Sequence, residues 1–355
     1  MQKKRKDIKV LHLGDMAFVG YSLVELLRKN NISADYLYYR SPEIPSNKEW
    51  LHSFKTSQSD RFNKLKIMRE SNSFCRNYDV IHAHSIFGLP LLFTKKPYIL
   101  HLHGTDLRVY SKGYTPLALG LRRLIKNANK IIVSTPDLLD EVSYLRKNAT
   151  FLPNPINFNI FKPFQSKRDL HDGTEFVLFH PASQSPTKRN DILINSFSEV
   201  VRQGYDARLL LVEWGSLINE SKKLIEKLYL RKNIEWIKHI NRADLPDYYN
   251  ASDIVCDQFL LNGLGLVTLE AMACGKPVVT KNIPHTFKTA YSTALPLSPI
   301  DNEISTTNEI IRLLESSDLR KKVGLKCSQW VAKEHSDSKI LSLLSESYEQ
   351  LKSEN

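Results

Sequence analysis

Short apolar runs alternate with amphipathic stretches along the first part of the chain. Continuous apolar runs bounded by glycine, proline or asparagine are typical of buried strands, and a 3.6-residue apolar period is typical of surface helices. Six strands are predicted in this part: Val10–Gly14, Ala34–Tyr39, Val80–His84, Tyr98–Gly104, Lys130–Thr135 and Phe151–Pro153. Helical periodicity lies between them, as in Ser22–Arg28 and Leu117–Lys126. Because such strands separated by helices form parallel sheets with both faces covered, we expect an α/β domain.

The same alternation returns after a stretch rich in proline and asparagine, residues 153–163, which predicts a linker. Five more strands are predicted beyond it: Glu175–Pro181, Ala207–Glu213, Ile234–Ile240, Ile254–Phe259 and Val278–Lys281. The segment Asp318–Leu351 has helical periodicity. We therefore expect two Rossmann-like domains, 1–160 and 161–330, facing each other across a cleft, with a C-terminal helix in 331–355 packing back on the first. The cleft is the expected site, since ligands of open α/β sheets bind at the carboxyl ends of the strands.

Composition adds information about partners and location. With 355 residues and 42% hydrophobic positions, the chain can bury two cores. The whole net charge of +12 lies in residues 1–160, which hold 25 Lys+Arg against 13 Asp+Glu. The first domain is therefore expected to face anionic lipid, an acidic acceptor or nucleic acid, unless the charge serves solubility alone. Four scattered cysteines, the absence of a long apolar run and a basic start without an apolar segment after it predict a cytoplasmic protein.

The most specific chemistry lies between residues 253 and 280. An apolar strand runs into Gly263-Leu264-Gly265, and a helical pattern begins at Leu266. A helix start after a strand presents unpaired N–H groups and the positive end of the helix dipole, which suits a diphosphate. Glu270 lies one turn inside that helix, where its carboxylate can accept hydrogen bonds from ribose hydroxyls. The pattern predicts a site for a nucleotide with a diphosphate, although similar glycine turns also occur for packing alone.

Several motifs, in order along nearly the whole chain, resemble those of the retaining GT-B glycosyltransferases of family four. The stretch G-L-G-L-V-T-L-E-A-M-A-C-G-K-P at 263–277 is similar to the family's E-G-F-G-x-x-x-x-E-A-M-A-x-G-x-P box. Four less specific motifs precede it: the glycine loop G-D-M-A at 14–17, H-L-H-G-T-D at 101–106, N-P-I-N at 154–157 with F-x-P after it, and S-P-T-K-R-N-D at 185–191. The resemblance implies the two-domain GT-B fold and transfer of a sugar from a nucleotide-diphosphate sugar.

Roles for individual residues also follow from the resemblance. It implies that Glu270 binds the ribose, that the backbone of Gly263, Leu264, Gly265 and Leu266 holds the diphosphate, and that Lys188 neutralises the departing diphosphate. His103 would contact the donor sugar or the acceptor, which the first domain mainly holds. Fixed N–H dipoles and a cation suit this reaction because the leaving group gains negative charge in the transition state. The sequence contains no Asp-x-Asp, so we expect no metal and no cofactor besides the nucleotide sugar.

Two positions depart from the family pattern. The first Glu of the family box is replaced by Asn262, which can bind sugar hydroxyls but cannot supply negative charge to an oxocarbenium-like centre. Asp257, at the end of the preceding strand, is a candidate for the missing acid. The family's phosphate-binding Arg falls at Ser183, and Arg189 is a candidate substitute. These departures indicate either a divergent donor pocket or a protein that binds without catalysing.

Four other residues are candidates for the site, and for two of them, Asp106 and Trp214, the sequence allows two roles. Gly14 is expected to close a βα turn beside the diphosphate, and Asp15 after it is a candidate ligand contact. Asp106 either caps the following turn or touches substrate. Trp214 either flanks the base or packs in the interior.

Three histidines of the first domain need separate treatment. His103 ends a strand, where it points into the cleft or is a hydrogen-bonded core histidine. His82 and His84 alternate on one strand and so face one side of the sheet. They either pack there or form a metal pair, for which the sequence shows no third ligand.

Two basic amphipathic segments favour an anionic membrane as the acidic partner. Residues 117–130 place four cations beside leucine and isoleucine, and residues 50–69 mix cations with apolar residues after Trp50 and Phe54. Segments of this kind lie on anionic membranes, although a surface helix that covers the sheet has the same pattern. The inner face of the cell membrane is the expected place.

The sequence therefore predicts a retaining, metal-independent glycosyltransferase that acts on a glycan or lipid-linked acceptor, in surface polysaccharide or glycolipid synthesis. One alternative is a nucleotide-sugar epimerase of the same fold, which needs carboxylates placed for proton abstraction and has no clear pair here. The other is a non-catalytic basic protein that binds nucleic acid. Because aromatic residues are not interleaved with the basic clusters, nucleic acid is not an expected partner.

Overall fold

The structure, a computed structural model, describes residues 8–14, 16–38, 48–53 and 63–353. They form two compact units. The first contains the described residues up to Pro155 together with Asp337 to Ser353, and the second runs from Ile156 to Ser336. The first boundary lies inside the predicted linker, and residues 331–336 of the predicted C-terminal segment belong to the second unit.

Seven parallel strands form the sheet of the first unit, in the order β3-β2-β1-β4-β5-β6-β7. Their bounds are β1 Lys9–Leu13, β2 Ser33–Tyr38, β3 Leu51–Ser53, β4 Val80–His84, β5 Tyr98–Leu102, β6 Lys130–Val133 and β7 Ala149–Phe151. The third strand was not predicted, because two of its three residues are only partly buried, the third is exposed, and they form no apolar run.

Four α-helices accompany these strands: α1 Val19–Lys29, α2 Asn63–Cys75, α3 Pro116–Asn127 and α4 Leu138–Ser143. The side chain of Thr115 caps α3 by accepting a hydrogen bond from the backbone N–H of Ala118. Turns of 3₁₀ helix occupy Ser85–Phe93, and a short π-helical turn occupies Asp106–Tyr110. The π-helical turn follows β5 directly and so shapes the carboxyl end of the sheet.

Five parallel strands form the second sheet, in the order β10-β9-β8-β11-β12. Their bounds are β8 Phe176–His180, β9 Ala207–Val212, β10 Ile234–Ile237, β11 Ile254–Cys256 and β12 Val278–Val279. Because β8 and β11 are neighbours, the loops that follow them meet at one edge of the sheet. With both sheets parallel and covered by helices, the predicted pair of Rossmann-like α/β domains is confirmed.

The remaining helices follow in chain order: α5 Asn190–Arg202, α6 Ile218–Lys227, α7 Leu245–Ala251, α8 Leu266–Ala273, α9 Pro284–Lys288, α10 Glu303–Leu314, α11 Ser317–Glu334 and α12 Asp337–Ser353. A capping box formed by Asn302 and Ser305 starts α10. The long helical pattern at the C-terminal side is two helices, since α11 ends before His335 and α12 begins at Asp337. The last helix belongs to the first unit, where Tyr348 is buried.

The two faces of the first sheet differ in chemistry. One face carries apolar side chains such as Leu11, Ile81 and Leu100, which belong to the main core cluster of this unit. Strand register brings histidines together on the other face, where His12 lies beside His82 and His84 lies beside His101. Alternation along each strand puts these four residues on one side of the sheet.

Candidate functional site

The helix α8 begins at the predicted diphosphate loop. Gly265 is its N-cap residue, and among the described residues no side chain caps this end. A Cβ atom on Gly265 would lie 3.1 Å from Oδ2 of Asp257, so a larger residue would crowd that carboxylate. The carbonyl of Gly263 accepts a hydrogen bond from Nε2 of Gln258, and Leu264 is buried. Gln258 thus holds the glycine loop in place, and the start of α8, at Leu266, presents backbone N–H groups and the positive end of the helix dipole.

Asp257 brings Lys188 to this helix. Its Oδ1 lies 2.6 Å from Nζ of Lys188, and its Oδ2 accepts a hydrogen bond of 2.8 Å from the hydroxyl of Thr268 in the first turn of α8. The loops are also joined through their backbones, because the N–H of Phe259 donates to the carbonyl of Lys188. The structure therefore places Lys188 and the 263–270 segment, far apart in sequence, at one edge of the second sheet.

The carboxylate of Asp257 is fully buried and charged. Burial by itself would raise its pKa, but the nearby charge of Lys188 and hydrogen bonds from Lys188 and Thr268 lower it below the ordinary value. Each oxygen already accepts one hydrogen bond within the protein. Asp257 as the acid in place of the family's glutamate stays a prediction, and the structure gives this carboxylate the further role of holding Lys188.

Glu270 lies in the interior of α8, only 2% exposed. Its Oε1 forms an ion pair with Arg242, and the hydroxyl of Tyr249 lies 3.4 Å from its Oε2. Burial raises the pKa of this carboxyl, and the charge of Arg242 opposes the shift. Each carboxylate oxygen accepts more than one hydrogen bond, so Glu270 retains acceptor capacity for a ribose. The guanidinium of Arg242 also lies over the ring of Phe161, 5.4 Å from its centre.

Asn262 joins its loop to the start of α9. Its Oδ1 accepts a hydrogen bond of 2.6 Å from the backbone N–H of Ile283, and its Nδ2 donates to the hydroxyl of Thr286. Both ends of the amide are thus used for loop structure. This contact gives a structural reason for an amide at the position where the family box has a glutamate.

The other predicted donor-site residues lie on the loop after β8 and at the end of β9. Arg189 adopts a left-handed backbone conformation with φ 50° and forms an exposed ion pair with Asp191. The hydroxyl of Ser183 donates to that of Ser185 over 3.0 Å. Trp214 is 54% exposed and its ring N–H donates to the carbonyl of Pro181. Its ring is therefore available to a ligand on its outer face.

In the first unit, a tight turn presents His103. The carboxylate of the buried Asp106 accepts hydrogen bonds from the backbone N–H groups of His103 at 2.8 Å, Gly104 at 2.9 Å and Leu107 at 3.0 Å. The carboxylate thus fixes the turn before it, at His103 and Gly104, whereas among the described residues no side chain caps the turn that follows, which is the capping role weighed for Asp106. Gly14 closes the turn after β1 with φ 77°, and a Cβ atom there would lie 2.1 Å from Phe87, which requires glycine. Asp15 lies outside the described residues.

His103 is one end of a row of five histidines, which we call the histidine array: His12, His82, His84, His101 and His103. Rings of neighbouring members lie close together, with centroids 4.4 Å apart for His101 and His103. Burial lowers the pKa of His12 and of His103 to about 3. Burial, and next the neighbouring histidines, hold the pKa values of the other three well below the ordinary value. The array is therefore neutral at physiological pH.

Two groups of three histidines have ligand nitrogens within 4.8 Å of one another: His12, His82 and His84, and His84, His101 and His103. The interpretation that no third ligand accompanies His82 and His84 is therefore wrong. It failed because the companions come from other strands, and only the parallel register aligns them. The signal was present in the sequence as the alternation H-x-H at the ends of two predicted strands and one histidine in a third.

The two proposed membrane segments differ from expectation. In α3 the apolar residues Leu121, Leu124 and Ile125 are buried in the core, so this helix covers the sheet. Trp50 is partly buried, with Nζ of Lys48 5.1 Å from its ring centre. Phe54 lies outside the described residues. Within the predicted segment 117–130, Leu117 and Leu119 are exposed at the start of α3, as is Tyr114 just before the helix.

Comparison with known proteins assigns the class. A family model described as glycosyl transferases group 1 matches residues 161–329, and a model described as glycosyltransferase family 4 matches residues 7–159. The chain belongs to the family-four glycosyltransferases, and it is a glycosyltransferase with the family's α/β fold. The family models describe neither epimerases nor proteins that bind nucleic acid.

Three similar proteins illustrate the range of the family. N-acetyl-alpha-D-glucosaminyl L-malate synthase of Bacillus anthracis is 25% identical over 292 residues, which cover 75% of this chain and 73% of that protein. Alpha-monoglucosyldiacylglycerol synthase of Acholeplasma laidlawii is 25% identical over 233 residues, which cover 57% of this chain and 58% of that protein. The crystal structure of Anabaena HepE in complex with UDP-glucose is 17% identical with a TM-score of 0.74, over 97% of this chain and 100% of that one. At this identity the structural likeness shows the fold alone.

Within the described part of the chain, none of the helices combines the length and apolar character needed to cross a membrane.

The neutral histidine array predicts that stability falls in mild acid. In the unfolded chain each histidine takes up a proton near pH 6.5, whereas in the folded state the pKa of His12 and of His103 is about 3 and the pKa values of the other three lie well below the ordinary value. Stability is thus fully present above about pH 6.5 and is lost as the pH falls toward about 3, by up to about 1.4 kcal/mol per pH unit for each histidine. In urea unfolding at about pH 7.5, 6.5 and 5.5, the urea concentration at the midpoint is expected to fall steeply with pH. This range lies above the pH at which most carboxylates titrate. A constant midpoint over this range would contradict the buried, neutral array.

Proposed function

We propose that this glycosyltransferase takes its sugar from a nucleoside-diphosphate sugar, keeps the anomeric configuration, needs no metal ion, and delivers the sugar to a glycan or lipid-linked acceptor. The observation that carries the proposal is the cluster of Lys188, Asp257 and Thr268 at the start of α8. It places a cation and the positive end of a helix together, as a departing diphosphate requires.

The charge at this edge suits a diphosphate without a metal. Asp257, which is buried, orients Lys188 by a short ion pair. Lys188 donates to Asp257 and, over 3.4 Å, to Oε1 of Gln258, so one N–H group of its ammonium remains for a phosphate oxygen. The uncapped start of α8 adds backbone N–H groups. The absence of an Asp-x-Asp sequence supports the same interpretation.

Glu270 is the proposed ribose contact. The ion pair with Arg242 fixes the carboxylate in one orientation, and fixed acceptors bind two adjacent hydroxyls with little loss of entropy. The HepE crystal contains UDP-glucose, and this agrees with a nucleotide sugar as the donor class. We propose His103, on the other unit, as the residue that contacts the donor sugar or the acceptor.

A membrane surface is the proposed location of the acceptor. Tyr114 is 91% exposed and Leu119 is 51% exposed, next to the exposed cations Lys112 and Arg123. Apolar side chains flanked by cations bind anionic bilayers through both burial and charge. One similar protein is named for a diacylglycerol product, which agrees with a lipid-linked acceptor. We accordingly propose a peripheral protein of the inner face of the membrane.

Lys188→Ala is expected to lower kcat at least about 100-fold, because a fixed donor to the leaving group is removed. Lys222→Ala is the matched control, since Lys222 also pairs with a carboxylate, Glu213, on the same unit. Turnover is measured with a panel of nucleotide sugars and acceptor extracts, with and without a chelator. The chelator is expected to leave the rate unchanged.

Because Lys188→Ala leaves the charge of Asp257 buried and unpaired, the variant is also expected to be less stable. The double variant Lys188→Met, Asp257→Asn removes both charges and separates the two effects. A folded double variant that turns over within about threefold of the native rate would argue against the role of Lys188.

Glu270→Gln is expected to abolish the thermal shift that nucleoside diphosphates produce. A ligand at about 100 times its dissociation constant stabilises the native protein by about 2.7 kcal/mol, which is a readable shift. Glu309→Gln is the control, because Glu309 is a buried glutamate of the same unit paired with Arg312. Equal shifts in both variants would place the nucleotide elsewhere.

Tyr114→Ser combined with Leu119→Ser is expected to reduce co-sedimentation with anionic vesicles, while native binding falls as salt rises. The control is Tyr229→Ser, since Tyr229 is 92% exposed but lies on the second unit. Undiminished binding of the double variant, or equal native binding to neutral vesicles, would contradict this surface.

A further inference from the structure

The histidine array and Tyr348 form one unbranched chain of hydrogen bonds. From the turn inward, Nε2 of His103 lies 3.0 Å from Nδ1 of His84, and Nε2 of His84 lies 3.1 Å from Nδ1 of His12. The hydroxyl of Tyr348 continues the chain, 3.1 Å from Nε2 of His12 and 2.9 Å from Nδ1 of His82. The last bond joins Nε2 of His82 to Nδ1 of His101 over 3.3 Å.

The protons along this chain of hydrogen bonds can be arranged in two ways. A neutral imidazole has one N–H donor and one acceptor nitrogen, and a hydroxyl between two nitrogens donates to one and accepts from the other. Two donors cannot share one hydrogen bond, so the direction chosen at one bond fixes the direction of all the others. In one state all five histidines carry the proton on Nδ1, and in the other all five carry it on Nε2.

The inner end of the chain decides between these states. Nε2 of His101 is buried and has no hydrogen-bond partner among the described residues. With the protons on Nε2, this position would be a buried donor without an acceptor, which native structures rarely contain. With the protons on Nδ1, it is a buried lone pair, which is less costly.

We infer that the array holds His103 as its Nδ1–H tautomer, so that His103 meets its ligand as a hydrogen-bond donor through Nδ1. His84 is then a positioning residue that donates to Nε2 of His103, and Tyr348 is the positioning residue that gives both halves of the array one proton order. The ligand, an oxygen of the donor sugar or of the acceptor, rests on the proposed function; the tautomer does not. A general base at this position would need a lone pair on Nδ1, which this order removes.

The same nitrogens could not serve a metal ion and the chain at once. A metal ion lies in the plane of each imidazole that binds it, and the rings of His82 and His84 are within 7° of parallel, with centroids 5.0 Å apart. The nitrogens of these rings are hydrogen-bonded instead to Tyr348 and to other members of the array.

Tautomers are measured directly by long-range ¹⁵N–¹H correlation spectra of the full chain labelled at histidine. We expect five slowly exchanging histidines with a protonated Nδ1 and an unprotonated Nε2. Protonated Nε2 throughout, or a mixture at His103, would overturn the inference. One tightly bound zinc per chain, found by elemental analysis and accompanied by loss of these signals on adding Zn²⁺, would overturn it as well.

Tyr348→Phe tests whether the hydroxyl joins the two halves. Without the hydroxyl, His82 and His101 still bond to each other, but one buried N–H of the pair has no acceptor, whether the protons lie on Nδ1 or on Nε2. We therefore expect mixed tautomers at these two residues. His12, His84 and His103 keep their Nδ1 protons, because the alternative would bury an unpaired N–H at His12. Tyr98→Phe is the control, since Tyr98 is a buried tyrosine of the same sheet that donates to the carbonyl of Leu124. Identical spectra of the two variants would refute the joining role.

His103→Asn and His103→Gln test the donor role. The amide group of Asn is attached to Cγ, as Nδ1 is, whereas the amide of Gln reaches the position of Nε2. We expect His103→Asn to keep kcat within about tenfold of the native value and His103→Gln to lose about tenfold more, with the KM for the donor nucleotide sugar little changed. The reverse order would overturn the donor role. If the native chain turns over no nucleotide sugar, the proposed function fails, while the spectra still decide the tautomer.

Discussion

The carboxylate of Asp257 is the contact on which the proposed donor site of the second unit depends. It is fully buried, yet it reaches a lysine from one loop and a hydroxyl from the first turn of α8. Burying an ion pair is costly, and an apolar pair of similar size would be as stable or more so. The pair instead fixes the position of a long, flexible lysine side chain. It holds this side chain at the start of a helix, the end at which a helix dipole stabilises an anion. Gly265 is small because this carboxylate lies against it.

The polar groups buried on the sheet of the first unit are neutral, not charged. Its sheet buries neutral imidazoles on one face, and each nitrogen but those at the two ends is satisfied by another member of the array or by Tyr348. Neutral rings avoid the large cost of burying charge, and mutual hydrogen bonds avoid the cost of unpaired polar atoms. Both units thus place polar side chains toward the carboxyl ends of parallel strands. The second unit uses a charged pair, and the first unit uses a chain of neutral hydrogen-bonded side chains.

Much of this architecture could be predicted from the sequence, because parallel strands that are covered on both faces leave continuous apolar runs. The runs ending at His84, Leu102 and Cys256 were found within a few residues of their observed ends. The glycine loop before α8 could be predicted because glycine at a strand-to-helix turn has a local cause. A role for Lys188 beside this loop was implied by the family motif, and the neighbouring positions of β8 and β11 bring the two loops together.

What could not be predicted depends on contacts between distant segments. Arg242 lies in no motif, and only the fold places it on Glu270. The amide of Asn262 binds Ile283 and Thr286, so its role in the loop is invisible in the local pattern. The amphipathic pattern of α3 was ambiguous, since a face that packs on a sheet and a face that lies on a membrane have the same period. Tyr348 gave no signal at all, because its partners come from the opposite end of the sequence.

That separation has a consequence for biosynthesis. Tyr348 bonds to His12 across 336 positions, so the ribosome must make the whole second unit before α12 emerges. Until then, nitrogens of His12 and His82 remain open to water, and the nascent first unit exposes the polar face that α12 later covers. Final closure of the first unit is therefore a late event in translation, because it depends on a helix made after the whole second unit.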